Sequence, residues 1–445
     1  MDSTIFALSS GQGRAGIAVI RVSGGAAGAA IRALTGVRLP SPRRATVRTL
    51  TDPETGDMLD KALVLWLPGP GTVTGEDMAE FHVHGGRAVV LGVLNALGAL
   101  ESVRLAEPGE FTRRAFGNGR MDLTQVEGLA DLIEAETAGQ RRLALAQAEG
   151  GLAARCAAWR ETLIGALALV EAEIDFSDEE LPDGLNAQAV ARISLVTREM
   201  ADILAFARRG EIMRDGVQVA ILGPPNVGKS SLLNRLARRD AAIVSDISGT
   251  TRDVIEVRLD LGGIPVVLAD TAGLRETDDP LEREGIARSH ARAAGADIAL
   301  LVSDLSQGGH HRPDWPVGIG QGRKLNVGNK ADIADSAAPD GIDIAISAKS
   351  GAGMDALEAW LLDAAMQLAG GAGVASVVGR ARQAAALGDA HAALERCLEE
   401  SRDDGEAALV SEELRLALRA LGRLVGAVDV EDVLDVIFRD FCIGK

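Results

Sequence analysis

The sequence is poor in cysteine and has no long apolar run. Its 445 residues include three cysteines, Cys156, Cys397 and Cys442, and none of them belongs to a C-x-x-C pair. This argues against a disulfide framework and against a structural zinc site. No stretch of about eighteen apolar residues occurs, so we expect no membrane span. Residues 1–4 lack the basic and apolar regions of a secretory signal, and these absences together predict a cytoplasmic protein.

Acidic side chains outnumber basic ones, which at first argues against a nucleic-acid partner. The chain has 64 Asp and Glu against 46 Lys and Arg, a formal net charge of −18. The excess is uneven, because residues 1–120 carry 13 basic against 11 acidic side chains and the rest of the chain carries the surplus of acid. Any RNA contact would therefore use local basic patches, and composition neither supports nor excludes one.

The segment Gly223–Ser230 has the pattern G-x-x-x-x-G-K-[ST]. It follows the apolar run Val217–Leu222 and precedes Ser231–Ala237, which is typical of a helix. Strand, glycine-rich turn and helix are the context of a phosphate-binding loop, in which backbone N–H groups and the helix dipole face the phosphates. Lys229 would reach the β- and γ-phosphates, and Ser230 would hold Mg²⁺.

Residues 1–120 have the pattern of an α+β domain. Strands are predicted over 17–22, 62–67 and 80–84, and helices over 25–34 and 86–100. His82 and His84 lie two apart on one face of the last of these strands. Two imidazoles suit a metal ion, but no cysteine or carboxylate at ligand spacing completes a site, so we expect a packed or pocket-lining role.

Residues 121–210 are rich in Ala, Leu, Glu and Arg and lack strand signals. The runs 143–148 and 163–169 predict long helices that pack on one another. The acidic run 175–180 predicts a solvated break in the helical pattern. This region is therefore predicted to be all helical.

Residues 211–370 alternate strand and helix, as expected for a doubly wound parallel sheet. The predicted strands are 217–222, 254–260, 264–269, 297–303, 323–327 and 342–346. Residues 371–445 return to an Ala-, Leu- and Glu-rich helical pattern. The fold class we predict is multidomain: an α+β domain over 1–120, an all-α domain in two parts (121–210 and 371–445), and an inserted α/β nucleotide-binding domain over 211–370.

Four further motifs flank or follow predicted strands of the inserted domain. In Asp270–Gly273 the carboxylate would orient Mg²⁺ through water and the last amide would sense the γ-phosphate. Asn329–Asp332 ends in a carboxylate that accepts two hydrogen bonds from guanine, which adenine cannot donate, and Ser347–Lys349 completes the base pocket. Ser245–Asp253 contains Thr251, a second hydroxyl ligand for Mg²⁺ that is ordered when the γ-phosphate is present. With the phosphate loop, these motifs predict GTP rather than ATP.

Leu274 stands where many GTPases have a glutamine that orients the attacking water. A leucine cannot position water, so another group must do so. The carboxylates nearby are Glu276, Asp278, Asp279, Glu282 and Glu284. No motif identifies an arginine finger, the side chain that stabilises transition-state charge in many GTPases. Asn226, with oxygens of the 245–250 loop, could hold a monovalent cation that replaces one, or it could merely brace the turn.

Five stretches extend the pattern beyond the core nucleotide motifs. They are Ile20–Gly24, Phe111–Leu123, Gly249–Asp253, Asp270–Arg275 and the tail Cys442–Lys445. With them, the chain resembles the MnmE (TrmE) family of bacterial tRNA-modification GTPases over essentially its full length. The resemblance implies an N-terminal domain that binds a tetrahydrofolate derivative (5-formyl- or methylene-tetrahydrofolate) and dimerises, a central helical domain, and an inserted Ras-like GTPase domain.

The resemblance also implies roles for residues of the GTPase domain. Glu282 matches the water-orienting glutamate. Asn226, Ser245, Ile247 and Thr250 match the ligands of K⁺ at a pair of GTPase domains, with Ser245 in place of the expected threonine. The nucleotide contacts implied in full are Asn226, Val227, Gly228, Lys229, Ser230, Ser231, Ser245, Asp246, Ile247, Ser248, Gly249, Thr250, Thr251, Asp270, Thr271, Ala272, Gly273, Asn329, Lys330, Asp332, Ser347, Ala348 and Lys349.

For folate, Arg21, Glu80, Arg120 and Lys445 match the pocket positions of the family. Arg120 stands where lysine is usual, which keeps the charge and changes the shape. A carboxylate suits the amino-pyrimidine edge of a pterin, and the cations suit its glutamate tail. Cys442 could be a covalent nucleophile, although a lone cysteine is more often packed and inert.

The implied activity is one step in modifying the wobble uridine of certain tRNAs at C5, giving a carboxymethylaminomethyl or aminomethyl group. The implied protein partners are a second copy of the chain and the FAD-containing flavoprotein MnmG (GidA); folate supplies a one-carbon unit and GTP hydrolysis drives domain rearrangement. Two other classes share some features. A ribosome-assembly GTPase would normally carry an RNA-binding module such as KH, whose signature does not stand out here. A folate-dependent one-carbon enzyme would use the GTPase domain as a sensor.

Overall fold

The structure is a computed structural model, and it divides into two compact units. One comprises Met1–Ala130 with Gly422–Lys445, and the other comprises Asp131–Leu421. The residues that the structure describes are 3–11, 13–175, 184–238, 242–243, 256–270, 294–307, 315, 322–334, 340–370, 377–401, 406–428, 434, 437–438, 441 and 444.

A six-stranded sheet forms the centre of the first unit. Its strands are β1 (Thr4–Leu8), β2 (Ala15–Ser23), β3 (Thr46–Thr51), β4 (Met58–Leu67), β5 (Met78–Gly85) and β6 (Val103–Leu105), in the order β3-β4-β5-β2-β1-β6. Neighbouring strands are antiparallel except β1 and β6, which are parallel. The three predicted strands are confirmed as β2, β4 and β5, and the sheet has three more.

Helices α1 (Ala27–Thr35) and α2 (Arg87–Gly98) confirm the two predicted helices and pack with one face of this sheet. Residues at every second position of the central strands, including Ile20, Val22 and Phe81, are buried in that core. Because side chains alternate between the faces of a strand, Arg21 and Glu80 lie on the opposite face. Helices α3 (Glu110–Gly117) and α4 (Leu123–Glu134) follow along the chain.

The second unit begins with a group of helices, as predicted. They are α5 (Ala138–Ala148), α6 (Gly151–Asp175), α7 (Leu185–Leu204) and α8 (Ala207–Asp215). Helix α5 starts at a capping box, in which the Thr137 hydroxyl accepts from the Gln140 N–H and the Gln140 side chain accepts from the Thr137 N–H. Helix α6 packs on α7. The acidic run begins at the last residue of α6, and its remainder lies outside the described residues.

A seven-stranded sheet with helices carries the nucleotide motifs. In chain order its elements are β7 (Val217–Leu222), α9 (Lys229–Leu236), β8 (Ala242–Ile243), β9 (Glu256–Leu261), β10 (Ile264–Asp270), β11 (Ile298–Asp304), β12 (Arg323–Asn329), β13 (Ile344–Ala345) and α10 (Met354–Ala369). The strand order is β13-β12-β11-β7-β10-β9-β8. All six predicted strands are confirmed, with boundaries that differ by up to a few residues.

The expectation of a parallel sheet is wrong for one edge. Strands β13, β12, β11, β7 and β10 are parallel to one another, whereas β9 is antiparallel to β10 and β8 is antiparallel to β9. The cause is the two-residue link Gly262-Gly263, which is too short for a parallel crossover. Both glycines have positive φ, 63° and 89°, as a tight hairpin turn requires.

Two more helices, α11 (Ala381–Glu400) and α12 (Ala407–Val425), follow the sheet. Helix α10, which leaves the sheet, packs against α8, which leads into it, so the two ends of the α/β segment lie close together. The division into domains at 120, 210 and 370 stays a prediction, because the compact units are drawn differently and place 422–445 with the N-terminal sheet. Within the part of the chain that the structure describes, no helix is both long enough and apolar enough to cross a membrane.

Candidate nucleotide-binding site

The phosphate loop connects the end of β7 to the start of α9, as predicted. Gly223 has a φ of 139°, and a Cβ there would lie 2.2 Å from the carbonyl oxygen of Val302. Gly228 has a φ of 97°, and its Cβ would lie 2.2 Å from Nδ2 of Asn329. Both positions therefore require glycine for conformation and for space.

Lys229 is the first residue of α9, and its side chain folds back over the loop. Its Nζ donates to the carbonyl oxygens of Gly223, at 2.8 Å, and Pro224, at 2.9 Å. Ser230 and Ser231 follow in the first turn of the helix. The cation is thus held within the loop that is predicted to surround the phosphates, at the positive end of the helix dipole.

Asn329 joins the phosphate loop to the predicted base pocket. Its Nδ2 donates to the carbonyl oxygen of Val227 at 2.8 Å, and its Oδ1 accepts from the N–H of Ala348 at 3.0 Å. The residue is 3% exposed. Since β7, β12 and β13 run in one direction, the loops at their carboxyl ends meet, and one amide side chain bridges two of them.

The predicted base pocket surrounds this bridge. Ser347 is fully buried, and its Oγ accepts from the N–H of Ser350 at 3.0 Å. Asp332 and Lys349 are exposed. Lys330 has a left-handed backbone with a φ of 66°, and its Nζ lies 2.6 Å from Oδ2 of Asp304. The contact of Lys330 with Asp304, at the end of β11, was not predicted from the sequence. Asp304 pairs in register with Asn329, the first residue of the Asn329–Asp332 motif.

Of the four residues predicted to bind K⁺, one, Asn226, lies within the described part of the chain. Asn226 is exposed and has a φ of 63°, a conformation that asparagine adopts more readily than most residues. The other predicted nucleotide, magnesium, potassium and water-orienting residues lie outside the described residues: Ser245, Asp246, Ile247, Ser248, Gly249, Thr250, Thr251, Thr271, Ala272, Gly273 and Glu282. Asp270 ends β10, at the same edge of the sheet as the phosphate loop.

In the N-terminal unit, two of the predicted folate residues lie directly opposite each other on β2 and β5. Arg21 donates to Oε1 of Glu80 through Nε, at 3.1 Å, and Nη2, at 3.0 Å. The Arg21 guanidinium also lies 5.9 Å from the ring centre of Phe111. Oε2 of Glu80 is 3.2 Å from Nε2 of His82, a contact that the sequence did not predict.

The other histidine of this strand pairs differently. His84 lies 2.8 Å through Nδ1 from Oδ1 of Asp60, and its N–H donates to Oδ2 of the same carboxylate. Burial opposes ionisation of Asp60, but these hydrogen bonds outweigh it and lower its pKa. Among the described residues, no group of three or more His, Cys, Asp or Glu side chains is placed to hold a metal ion.

The remaining predicted folate residues lie at the turn after α3 and at the end of the chain. Arg120 donates from Nε to the carbonyl oxygen of Thr72 at 3.2 Å. Lys445 and Cys442 lie outside the described residues. Their neighbour Gly444 accepts a hydrogen bond from Oγ of Ser9 at 2.9 Å, so this residue lies at the connection between β1 and β2.

Comparisons with known proteins show the family to which the chain belongs. The family model described as "GTP-binding protein TrmE N-terminus" matches residues 4–120, and the model "MnmE helical domain" matches residues 123–442. A tRNA modification GTPase MnmE from Parvibaculum lavamentivorans is 54% identical over 99% of this chain and 100% of its own length. One from Rhodospirillum rubrum is 51% identical over 99% of each chain.

Among solved structures, Era from Aquifex aeolicus bound to GDP and AlF₄⁻ resembles 33% of this chain and 55% of its own. The sequences are 28% identical and the TM-score is 0.27, which is too low to support any statement about the fold. The full-length matches, together with the phosphate loop, the Asn329 bridge and the N-terminal sheet, establish the relationship. The chain belongs to the MnmE family of tRNA-modification GTPases.

Proposed function

We propose that this chain binds and hydrolyses GTP with Mg²⁺ and uses the reaction in modifying tRNA. The observation that carries the proposal is the Asn329 bridge, which ties the phosphate loop to the loop of Ala348. The exposed Asp332 follows three residues after Asn329 along the chain. A pocket built in this way can bind phosphates at one end and read a guanine edge at the other.

Each residue of the pocket has a role in this proposal. The phosphate oxygens would replace the carbonyls of Gly223 and Pro224 as acceptors for the ammonium of Lys229. Ser230 and Thr251 would hold the magnesium ion, which neutralises charge on the phosphates. Asp332 would accept from the guanine edge, and Glu282 would orient the attacking water in place of the glutamine that Leu274 replaces.

K⁺ and a second GTPase domain belong to the same proposal. Asn226 is exposed, so its amide oxygen is accessible to an ion and to a partner copy of the chain. With Ser245, Ile247 and Thr250 it would supply neutral oxygen ligands beside the phosphates. A cation there stabilises the transition-state charge that an arginine finger would otherwise stabilise. We therefore propose a homodimer whose paired GTPase domains hydrolyse GTP faster in K⁺.

The N-terminal sheet is proposed to bind a tetrahydrofolate derivative as the one-carbon donor. Glu80 would accept from the pterin, and Arg21, Arg120 and Lys445 would supply positive charge. A carboxylate has about four lone-pair sites, and Arg21 and His82 already use three of those on Glu80. One further donor fits directly, whereas a two-donor pterin contact requires Arg21 to release one of its bonds. The residues therefore fit a pterin with one local adjustment.

The proposed product is a carboxymethylaminomethyl or aminomethyl group at C5 of the wobble uridine of tRNA. The FAD-containing flavoprotein MnmG is the proposed partner. Because the proposed substrate is tRNA, we propose that the protein acts in the cytoplasm. Relatives that match the full chain carry the name tRNA modification GTPase MnmE, which supports tRNA as the substrate class.

The test is a reconstituted reaction with this chain, the flavoprotein, a folate donor and unmodified tRNA. Mass spectrometry of the digested tRNA should show the modified wobble uridine with GTP and not with a non-hydrolysable GTP analogue. Equal modification with both nucleotides would refute the coupling of hydrolysis to modification. GTP turnover without any tRNA product would refute the substrate class.

A further inference from the structure

Asp304 and Lys330 lie at the ends of two neighbouring parallel strands. Asp304 is the last residue of β11 and is paired in register with Asn329, the last residue of β12. Lys330 follows immediately, and its Nζ lies 2.6 Å from Oδ2 of Asp304. The Asp304 side chain is 5% exposed and that of Lys330 is 31% exposed. This ion pair is therefore largely shielded from solvent and is adjacent to the residue that joins the two nucleotide loops.

The carboxylate of Asp304 is itself fixed. Its Oδ1 accepts from the N–H of Ser306 at 3.0 Å and from the Ser306 hydroxyl at 2.6 Å, while Oδ2 faces Lys330. Burial raises the pKa of Asp304, but the hydrogen bonds from Lys330 and Ser306 more than compensate and lower it. Asp304 thus carries a negative charge that is held in one orientation at neutral pH.

The backbone end of Lys330 is also fixed. Its carbonyl accepts from the N–H of Ile333 at 3.1 Å, and the next N–H, of Ala331, donates to the carbonyl of Ile346 at 3.0 Å. The turn Ala331–Ile333 that starts here contains Asp332. The methylene stem of Lys330 is consequently held at both ends, one residue from the bridge at Asn329 and two residues from the predicted guanine reader.

We propose that Asp304 is a positioning residue for nucleotide binding, which holds the Lys330 ammonium so that the methylene stem forms a pre-ordered apolar surface for the purine ring. The inference rests on the proposed binding of GTP at this pocket. A lysine stem packs on apolar surface while its head group is bound elsewhere. Ordering a free long side chain on binding weakens affinity by about 2- to 12-fold, and Asp304 removes that cost in advance.

The position of the stem predicts how the effect depends on the base. The stem would contact the face of the ring, whereas Asp332 would read its edge. Inosine and guanine nucleotides differ at the exocyclic amino group on that edge. Loss of Asp304 should therefore weaken the binding of GDP and of IDP by the same factor. Loss of the Asp332 carboxylate should instead change the ratio of their dissociation constants.

The experiment measures dissociation constants of GDP and IDP for the full chain by displacement of a fluorescent nucleotide. Asp304→Asn should raise both constants by about the 2- to 12-fold expected for an unanchored side chain, with their ratio unchanged. Asp297→Asn is the matched control, because Asp297 precedes the same strand at its opposite end, pairs with Arg208 at 2.8 Å and is 10% exposed. It should lower the melting temperature without changing either dissociation constant.

A double-mutant cycle separates positioning from a general loss of structure. Lys330→Met keeps an apolar stem without the anchor, so it should weaken both nucleotides, and adding Asp304→Asn to it should weaken them no further. If Asp304→Asn does not fold, Lys330→Met alone still tests the proposal. Unchanged affinity of that variant for GDP and IDP would contradict it. Wild-type affinity in Asp304→Asn, or a further loss in the double variant, would overturn this inference alone. A wild-type chain that binds neither nucleotide would overturn the proposed function as well.

Discussion

Replacing Asn329 by alanine removes both hydrogen bonds that join the phosphate loop to the base pocket. The carbonyl of Val227 and the N–H of Ala348 would lose their partner at a site that is 3% exposed. Leaving a buried polar group unpaired costs about 1–3 kcal/mol. Two such groups, with water entering the space of the deleted amide, give about 2–3 kcal/mol at the low end of that range. If the cost falls on the bound state, GDP affinity drops by about 30- to 150-fold.

The assay for Asn329→Ala is GDP affinity by fluorescence, with thermal denaturation measured in parallel. Asn326→Ala is the matched control, because Asn326 lies three residues earlier on the same strand and is also buried. Its side chain donates to Oδ2 of Asp343 at 3.1 Å and contacts neither nucleotide loop in the described hydrogen bonds. Asn326→Ala should lower the melting temperature and retain GDP affinity. Near-wild-type affinity in Asn329→Ala, or an equal loss in Asn326→Ala, would refute the role of the bridge.

Two further predictions concern hydrolysis. Glu282→Ala should retain GTP affinity and lose about 10²- to 10⁴-fold in turnover, the usual contribution of a group that handles the attacking water; single-turnover kinetics tests this, and a normal rate would show that another group orients the water. GTP turnover should be faster in K⁺ than in Na⁺ at equal ionic strength, and Asn226→Ala should abolish the difference; equal rates for the wild-type chain in the two salts would remove the proposed cation site.

Local features were predictable from the sequence. The loop from Gly223 to Ser230 was identified because glycine spacing and an adjacent apolar strand are encoded within a few residues. The predicted strands of the sheet were found for the same reason, since short apolar runs bounded by turn residues are local patterns. Features that depend on a single segment of the chain are therefore predicted well from the sequence.

Features that depend on register between distant segments were not predictable. Glu80 lies opposite Arg21, 59 positions away, because β2 and β5 pair in this register. Asp304 meets Lys330 because β11 and β12 end together. The antiparallel edge of the second sheet depends on the tight Gly262-Gly263 turn, which joins two strands directly and interrupts the alternation of strand and helix. Apolar periodicity alone carries none of this pairing information.

The candidate site is therefore known in part from structure and in part from sequence. The structure describes the phosphate loop, the Asn329 bridge and the Asp304–Lys330 ion pair, and their order along the chain agrees with the predicted order of motifs. The magnesium, potassium and water-orienting assignments all stay predictions, those of Asn226 and Ser230 included. In the N-terminal unit, the paired Arg21 and Glu80 support a polar ligand site, and Gly444 contacts Ser9, the residue after β1 of the same sheet.

The most direct measurement of the central claim uses an exchange of base specificity at Asp332. In the Asp332→Asn variant the side chain offers one donor and one acceptor, which matches xanthine instead of guanine. In the reconstituted reaction, this variant should modify the wobble uridine with XTP and not with GTP, and the wild-type chain should show the opposite preference. Modification of tRNA by the variant with GTP at the wild-type rate would contradict the claim that guanine recognition at this pocket drives the reaction.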